Sequence, residues 1–367
     1  MNPKISEISE EGDVYKFTLS GINVSLANAV RRIILSEIPT VVIRTETYND
    51  NQCNISINTS RLHNEILKQR LSCIPIHIQE LDILPGKYIL EVDVKNETEN
   101  VMYVTTEHFK IKNKLNGNYL TKEETKKIFP PCIKTNSYID FVRLMPKIND
   151  TIPGEQLKLT SEFSVSSARV NSMFNVVSKC AYGNTLDLVK INEKWLEVES
   201  KLRSQELTNE DIEFQKKNYY LLDAQRIFIE DSFDFIIQTV GVFDNKYIVK
   251  KAIEILFDKF TELIHNIDSD IMLILNSETT MSFCYDILLE NEDYTLGKVI
   301  EYILYEKYYV KEKTLDYCGF KKFHPHDTTS TIRIAFSKSA DKTDAKTYMR
   351  NACIDAQDVF KNMTRLF

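Results

Sequence analysis

A chain of 367 residues with 43% hydrophobic content has room for two or three domains, each with its own core. Its 53 acidic residues outnumber 46 basic ones for a formal charge of −7, which leaves no general positive field to hold a nucleic-acid backbone. No run approaches the ~18 uninterrupted apolar residues of a membrane span. The start, Met1–Asp13, is polar, and the seven cysteines are dispersed, so a soluble intracellular protein with free thiols and no disulfide framework is expected.

The first predicted element is a strand over Val14–Leu19, in which Tyr15, Phe17 and Leu19 share one face. Within Gly21–Pro39, Leu26, Ala29, Val30, Ile33 and Ile34 recur at the spacing of an amphipathic helix, with Asn23 or Ser25 able to cap its start and Pro39 to end it. Val41–Tyr48 then reads as a β-branched strand. A long excursion from about residue 51 to 153 is expected to be an inserted domain, with a helix over Ser60–Leu71, strands over Tyr88–Val94 and Met102–Thr106, and a break at Pro130–Pro131. Gln156–Phe163 returns as a strand, and the charged stretch Ile191–Tyr219, which holds the single Trp195, reads as surface helix. A long amphipathic helix follows from about Tyr247 to Ile267, with Leu256 and Phe260 on its apolar stripe.

After a connection of only about Asn266–Asp270, the pattern starts again. Met281, Phe283, Tyr285 and Ile287 alternate as a strand, an acidic turn follows, and a helix starts near Tyr294. Placing Ser25–Leu35 above Thr295–Tyr305 aligns a hydroxyl residue, a leucine, a small residue and the apolar stripe, so Leu296, Ile300 and Ile303 take the places of Leu26, Val30 and Ile33. A last helix from about Asp344 to Leu366 carries Ala352, Val359 and Phe360. Two similar strand, helix and terminal-helix sets form an internal repeat. Repeats that bury matching helices against each other make a pseudo-symmetric pair, and a short tether holds the two at an effective concentration of roughly millimolar or more.

Enzymatic signatures are scarce. The nine glycines are never closer than nine positions, which excludes phosphate-cradling loops, dinucleotide fingerprints and nucleophile elbows. Neither a CxxC pair nor an HExxH motif occurs. One catalytic reading is a free-standing metal enzyme built on Cys318, His324 and His326, with Asp316 or Asp327 as a fourth ligand. Asp268, Asp270, Glu290, Glu292 and Asp293 could in principle hold magnesium, although carboxylates beside turns are usually solvated.

Several of these stretches, in order, resemble the α-like assembly subunits of DNA-directed RNA polymerase. Gly21–Pro39 resembles the signature of bacterial α, the archaeal D-type protein and the third-largest eukaryotic subunit. Leu62–Pro75 resembles the helix that ends in a hydrophobic Ile-Pro, Asn96–Phe109 a strand segment of the inserted domain, and Asp231–Gly241 the strand before the last helix. From about residue 268, Glu292–Gly297 and Tyr317–Pro325 resemble the smaller partner, the archaeal L-type protein or the eleventh eukaryotic subunit. The two partners are separate chains in cellular polymerases, and the fusion resembles enzymes of large cytoplasmic DNA viruses. Three departures stand out: Cys53, Cys73 and Cys132 do not reproduce the metal-binding cysteines of some relatives, Tyr294 stands where His is usual, and Lys298 where Asn is usual.

The resemblance implies an α+β fold of two fused dimerisation modules forming a pseudo-dimer, the first interrupted by a mostly-β insertion. The expected boundaries are 1–50 plus 154–267 for the first module, 51–153 for the insertion and 268–367 for the second. It further implies a non-catalytic platform with no cofactor in this chain, whose partners are the largest and second-largest polymerase subunits and other small subunits. Neither sequence-specific DNA binding, membrane association nor homo-oligomerisation is implied. Arg31 and Arg32 stand where relatives contact the second-largest subunit, with Glu65 and Arg70 on the next helix as further candidates. Leu26, Val30, Ile33, Leu256, Phe260, Leu296, Ile300, Ile303, Ala352, Val359 and Phe360 are the implied dimerisation residues. Localisation would follow the polymerase: viral factory and virion for a virus, otherwise nucleus or cytoplasm.

Overall fold

A computed structural model describes residues 1–149, 151–205 and 208–367. In chain order, strands β1 (Lys4–Glu11) and β2 (Val14–Ser20) lead into helix α1 (Val24–Ser36). Next come β3 (Thr40–Val42), β4 (Cys53–Asn58), α2 (Asn64–Ser72), β5 (Tyr88–Lys95), β6 (Met102–Thr105) and β7 (Lys110–Asn113). They are followed by α3 (Lys122–Ile128), β8 (Asp140–Leu144), β9 (Gln156–Glu162), β10 (Ser164–Ser166) and β11 (Val177–Leu186). Helices α4 (Leu188–Ser204) and α5 (Asn209–Leu221) precede β12 (Phe228–Thr239) and α6 (Asn245–Asp268). The remainder is β13 (Ile274–Asn276), β14 (Cys284–Glu290), α7 (Tyr294–Leu304), β15 (Leu315–Lys321), β16 (Thr329–Phe336) and α8 (Lys342–Thr364).

The chain forms two compact units. The first takes residues 1–33, 179–238 and 249–367, the second residues 34–178 and 239–248. The first unit holds two four-stranded sheets, ordered β1-β2-β12-β11 and β13-β14-β16-β15. Numbered within each set, both orders are first, second, fourth, third, with a helix after the second strand and another after the fourth.

The likeness extends to single residues. Tyr15, Phe17 and Leu19 are buried on β2, and Tyr285, Ile287 and Leu289, each 270 positions on, are buried on β14. Both strands then turn through a residue in the left-handed region, Gly21 at φ 74° and Asn291 at φ 57°. Glycine meets that need without a Cβ, and asparagine tolerates it better than most residues. The Gly21 N–H donates to the Asp231 carbonyl at 2.8 Å, and the Asn291 N–H to the Thr328 carbonyl at 2.7 Å. Each helix is then capped two residues later in the same manner. Asn23 Oδ1 accepts the Ser25 N–H at 2.9 Å, and Asp293 Oδ1 accepts the Thr295 N–H at 2.8 Å. Of the two expected caps for α1, Asn23 performs the task.

The second unit is built on a sheet ordered β4-β9-β5-β7, with two smaller pairs, β3 with β10 and β6 with β8. Its core gathers Leu67 and Leu71 of α2 with Leu90, Val92, Leu157, Leu159 and Phe141. The buried amide of Asn96 donates to the Asn100 and Leu144 carbonyls at 2.8 and 3.0 Å, tying the end of β5 to β8. The return strand β9 lies between β4 and β5, so it completes this sheet.

Three expectations change. The strand expected over Val41–Tyr48 stops at Val42, because Arg44 is drawn to Glu46 at 2.6 Å and Asp50 at 3.2 Å while Thr45 Oγ1 donates to the Lys68 carbonyl at 3.1 Å. Helix α2 begins at Asn64 and not at Ser60, whose N–H and hydroxyl both bind Asn58 Oδ1, at 3.0 and 2.6 Å, in a turn. Met281 and Phe283 lie outside β14; Phe283 sits at φ 50°, which a strand does not accommodate. The charged stretch 191–219 is helical as expected, in two helices, with Glu206 and Leu207 lying outside the described residues. The two helices share a small core of their own in which Trp195 packs against Tyr219, ring centres 5.4 Å apart, and Tyr219 Oη donates to the Ile191 carbonyl at 3.0 Å.

Candidate assembly interface

The terminal helices of the two repeats present matching stripes. Val249, Ala252, Ile253, Leu256, Phe260 and Leu263 are buried on α6, and Met349, Ala352, Cys353, Ala356, Phe360 and Met363, each 100 positions on, are buried on α8. Both stripes follow the 3.6-residue period that lets one helix face disappear into a core. At one position the two meet directly: the rings of Phe260 and Phe360 stack with centres 5.8 Å apart and planes at 23°. Around the stack, Gln357 donates to Thr261 Oγ1 at 2.6 Å, and Arg350 grips Asp268 through two hydrogen bonds of 2.7 and 3.1 Å. That grip holds the Asp268 carboxyl below its usual range. The chain end joins the first sheet, with Phe367 edge-on to Phe17 at 5.1 Å.

Helices α1 and α7 carry the other set of implied dimerisation residues. Leu26, Val30 and Ile33 on α1 and Leu296, Ile300 and Ile303 on α7 are all buried, as are Leu256, Ala352 and Val359. Gly297 of α7 admits the ring of Phe320 from β15 into the space a Cβ would take. Its counterpart in α1 is the buried Ala27, so both helices keep a small residue at this turn.

The four candidate contact residues for a large subunit fall into both units. Arg31 is half-buried, its guanidinium held against Asn28 Oδ1 at 2.9 and 3.1 Å. Arg32 turns toward the second repeat, with Nη2 2.5 Å from Asp293 Oδ2 and Nε donating to Thr295 Oγ1 at 2.8 Å. In the second unit, Arg70 donates to the carbonyls of Phe141 and Asp140 at 2.8 and 2.7 Å. Glu65 is exposed, at the edge of a groove of about 780 Å3 shared with Glu46, Tyr48 and Lys68. Adjacent arginines on a helix point about 100° apart, so one can anchor inward while the other faces a partner; Arg32 is the one that turns inward, toward the acidic turn at 290–293.

The metal reading finds no geometry to support it. Cys318 lies on β15 with its thiol donating to the Glu301 carbonyl at 3.7 Å, and burial pushes that thiol up to about 12. His324 Nδ1 accepts the His326 N–H at 3.1 Å within an exposed turn. Among the described residues no group of three or more His, Cys, Asp or Glu is placed to hold a metal ion. Four of the five acids considered for magnesium are ion-paired instead: Asp268 with Arg350, Asp270 with Lys346, Glu292 with Lys259 and Asp293 with Arg32. No helix among the described residues is long and apolar enough to cross a membrane.

Residues 16–260 match the RNA polymerase Rpb3/Rpb11 dimerisation domain, and residues 284–365 match it a second time. The chain belongs to this family. A stretch of 110 residues is 37% identical to a Dictyostelium discoideum protein named DNA-directed RNA polymerases I and III subunit rpac1, covering 27% of this chain and 30% of that protein. A stretch of 73 residues is 41% identical to DNA-directed RNA polymerases IV and V subunit 3B of Arabidopsis thaliana, covering 20% of each. A stretch of 105 residues is 31% identical to DNA-directed RNA polymerase subunit Rpo3 of Pyrococcus furiosus, covering 27% of this chain and 38% of that one. The matches thus span well under half the length of these relatives.

Proposed function

We propose that this chain is a non-catalytic assembly subunit of a multisubunit DNA-directed RNA polymerase, in which two fused dimerisation modules form a pseudo-dimer that nucleates binding of the two large catalytic subunits. The observation that carries the reading is the Phe260–Phe360 stack. In a two-fold pair, the residue at the axis is the one that touches its own equivalent, and these rings occupy equivalent positions of two family-matched repeats. Names of the relatives, all polymerase subunits, point to the same assembly.

On this reading the first module comprises 1–50 and 154–267, the insertion 51–153 and the second module 268–367. The chain needs no cofactor of its own, pairs internally and not with a second copy, and travels with the polymerase: to the viral factory and virion in a large cytoplasmic DNA virus, otherwise to the nucleus or cytoplasm. Of the two arginines of α1, Arg31 is the one offered to the large subunits, since Arg32 is turned to Asp293, and Glu65 and Arg70 are the candidates of the second unit. An arginine suits such a contact because its planar fork makes two directed hydrogen bonds to a carboxylate.

Co-purification of the tagged full chain with polymerase subunits tests this, comparing wild type with Arg31→Glu at equal thermal stability. Recovery of both large subunits with wild type and their loss with the variant is the expected result. Wild-type chain that emerges without either large subunit at low salt would sink the proposal.

A further inference from the structure

We infer that Arg32 is a pairing residue that recognises the acidic start of α7, so that the part of α1 offered to an outside partner belongs to Arg31. The inference rests on the paired-repeat reading above. Arg32 reaches Asp293, the cap of α7, and Thr295 in the helix's first turn, at 2.5 and 2.8 Å. A helix N-terminus carries a partial positive charge that repels a cation. The carboxylate of the cap offsets that repulsion: one of its oxygens takes the Thr295 N–H while the other takes Arg32.

The repeat supplies an internal control. The cap equivalent to Asp293 is Asn23, which is neutral, and the residue equivalent to Arg32 is Tyr302, also neutral. At that second crossing Asp231, whose carbonyl holds Gly21 at the start of α1, acts on the Tyr302 hydroxyl only as a charge at a distance, beside Glu306 and the dominant effect of burial. The hydroxyl residue two places after the cap is shared, Ser25 and Thr295. What differs is the charge: the crossing with an acidic cap has the arginine, and the crossing with a neutral cap has a tyrosine. Arg32 therefore selects a helix that begins with an acidic cap followed two residues later by a hydroxyl.

A double-mutant cycle on the full chain decides the matter, using Arg32→Gln, Asp293→Asn and the double variant in urea unfolding. Asparagine caps a helix as well as aspartate, so Asp293→Asn removes the charge and keeps the cap. With Arg32 present, Asp293→Asn should lower the folding constant about threefold to tenfold, the sum of an exposed ion pair and a cation left at a helix start. In the Arg32→Gln background the same change should alter it less than about twofold, and the coupling should shrink as salt rises. Arg32→Lys, which keeps the charge but loses the planar fork of donors, should retain part of the coupling. Equal losses in both backgrounds would overturn the inference. The cycle involves no polymerase subunit, so its failure leaves the assembly reading intact, and failure of co-purification leaves the cycle standing.

Discussion

The two repeats of the first unit share sheet order, turn conformation and cap geometry, yet they differ sharply in what their connections carry. Between α1 and β11 the first repeat sends out residues 37–176, most of the second unit; between α7 and β15 the second repeat has one π-helical segment, Tyr305–Lys311, and a short loop. Between β11 and β12 the first repeat inserts the α4–α5 hairpin; between β15 and β16 the second has only residues 322–328. The difference teaches that pairing and elaboration are separable here. Strand faces, turn, cap and terminal-helix stripe are held in common, and everything added lies at connections where a loop can lengthen at small entropic cost.

The largest test of that comparison is at the stack. Phe260→Ala and Phe360→Ala should each cost about 4 kcal/mol in denaturant unfolding, and the double variant should cost clearly less than their sum, because each ring is the other's neighbour. Strict additivity would break the claim that the two stripes meet at this point.

A smaller effect is expected at the shared turn. Gly21→Ala adds a Cβ that meets the Asn2 carbonyl at a residue already left-handed, and should cost about 2 kcal/mol. Asn291 already carries a Cβ at this turn, so Asn291→Ala should cost less, about 1 kcal/mol, and Asn291→Gly, which relieves the left-handed strain, less again. Equal costs for the two alanine variants would show that the turns are less alike than their φ angles indicate.

The smallest effect concerns charge on the outer sheet face. Arg333 binds both oxygens of Asp286, at 2.6 and 2.7 Å, and this contact, more than its accompanying field, holds the Asp286 carboxyl below its ordinary value. The equivalent positions in the first repeat are Lys16 and Ile236, which also face each other. Because the folded-state value is depressed, the stability this contributes is fully present above about pH 4 and is lost as pH falls through the depressed value. Asp286→Asn should flatten that acid limb of the unfolding midpoint, and Lys16→Gln should leave it unchanged.

Much of the repeated architecture was legible in the amino-acid order. Helices α1, α6, α7 and α8 announce themselves because a buried helix face needs apolar residues at a fixed period, and β2 because its face alternates. The register of Ser25–Leu35 with Thr295–Tyr305 holds through the cap and the turn before it. What escaped depends on contacts distant in sequence. Nothing in Gln156–Glu162 itself says that it hydrogen-bonds between β4 and β5, and no local period tells that Trp195 closes a core with Tyr219. The strand expected through Met281 and Phe283 failed for the opposite reason, since a local alternation was overruled by a left-handed backbone at Phe283. At the candidate site, the resemblance pointed to Arg31 and Arg32 together and helix geometry allowed one of them to turn inward, while the fold tells which, one held against its own helix and the other across to Asp293.

The stacked rings at 260 and 360 have a consequence for how such a molecule changes over generations. In a dimer of identical chains, one codon sets both sides of the contact at the axis, so any substitution there arrives doubled. Here the two rings are encoded separately, and a substitution alters one side while the other still offers a phenylalanine. Neighbouring equivalents differ at some positions, Leu256 against Ala356 and Ile253 against Cys353, and agree at Ala252 and Ala352, while the two rings that meet are the same.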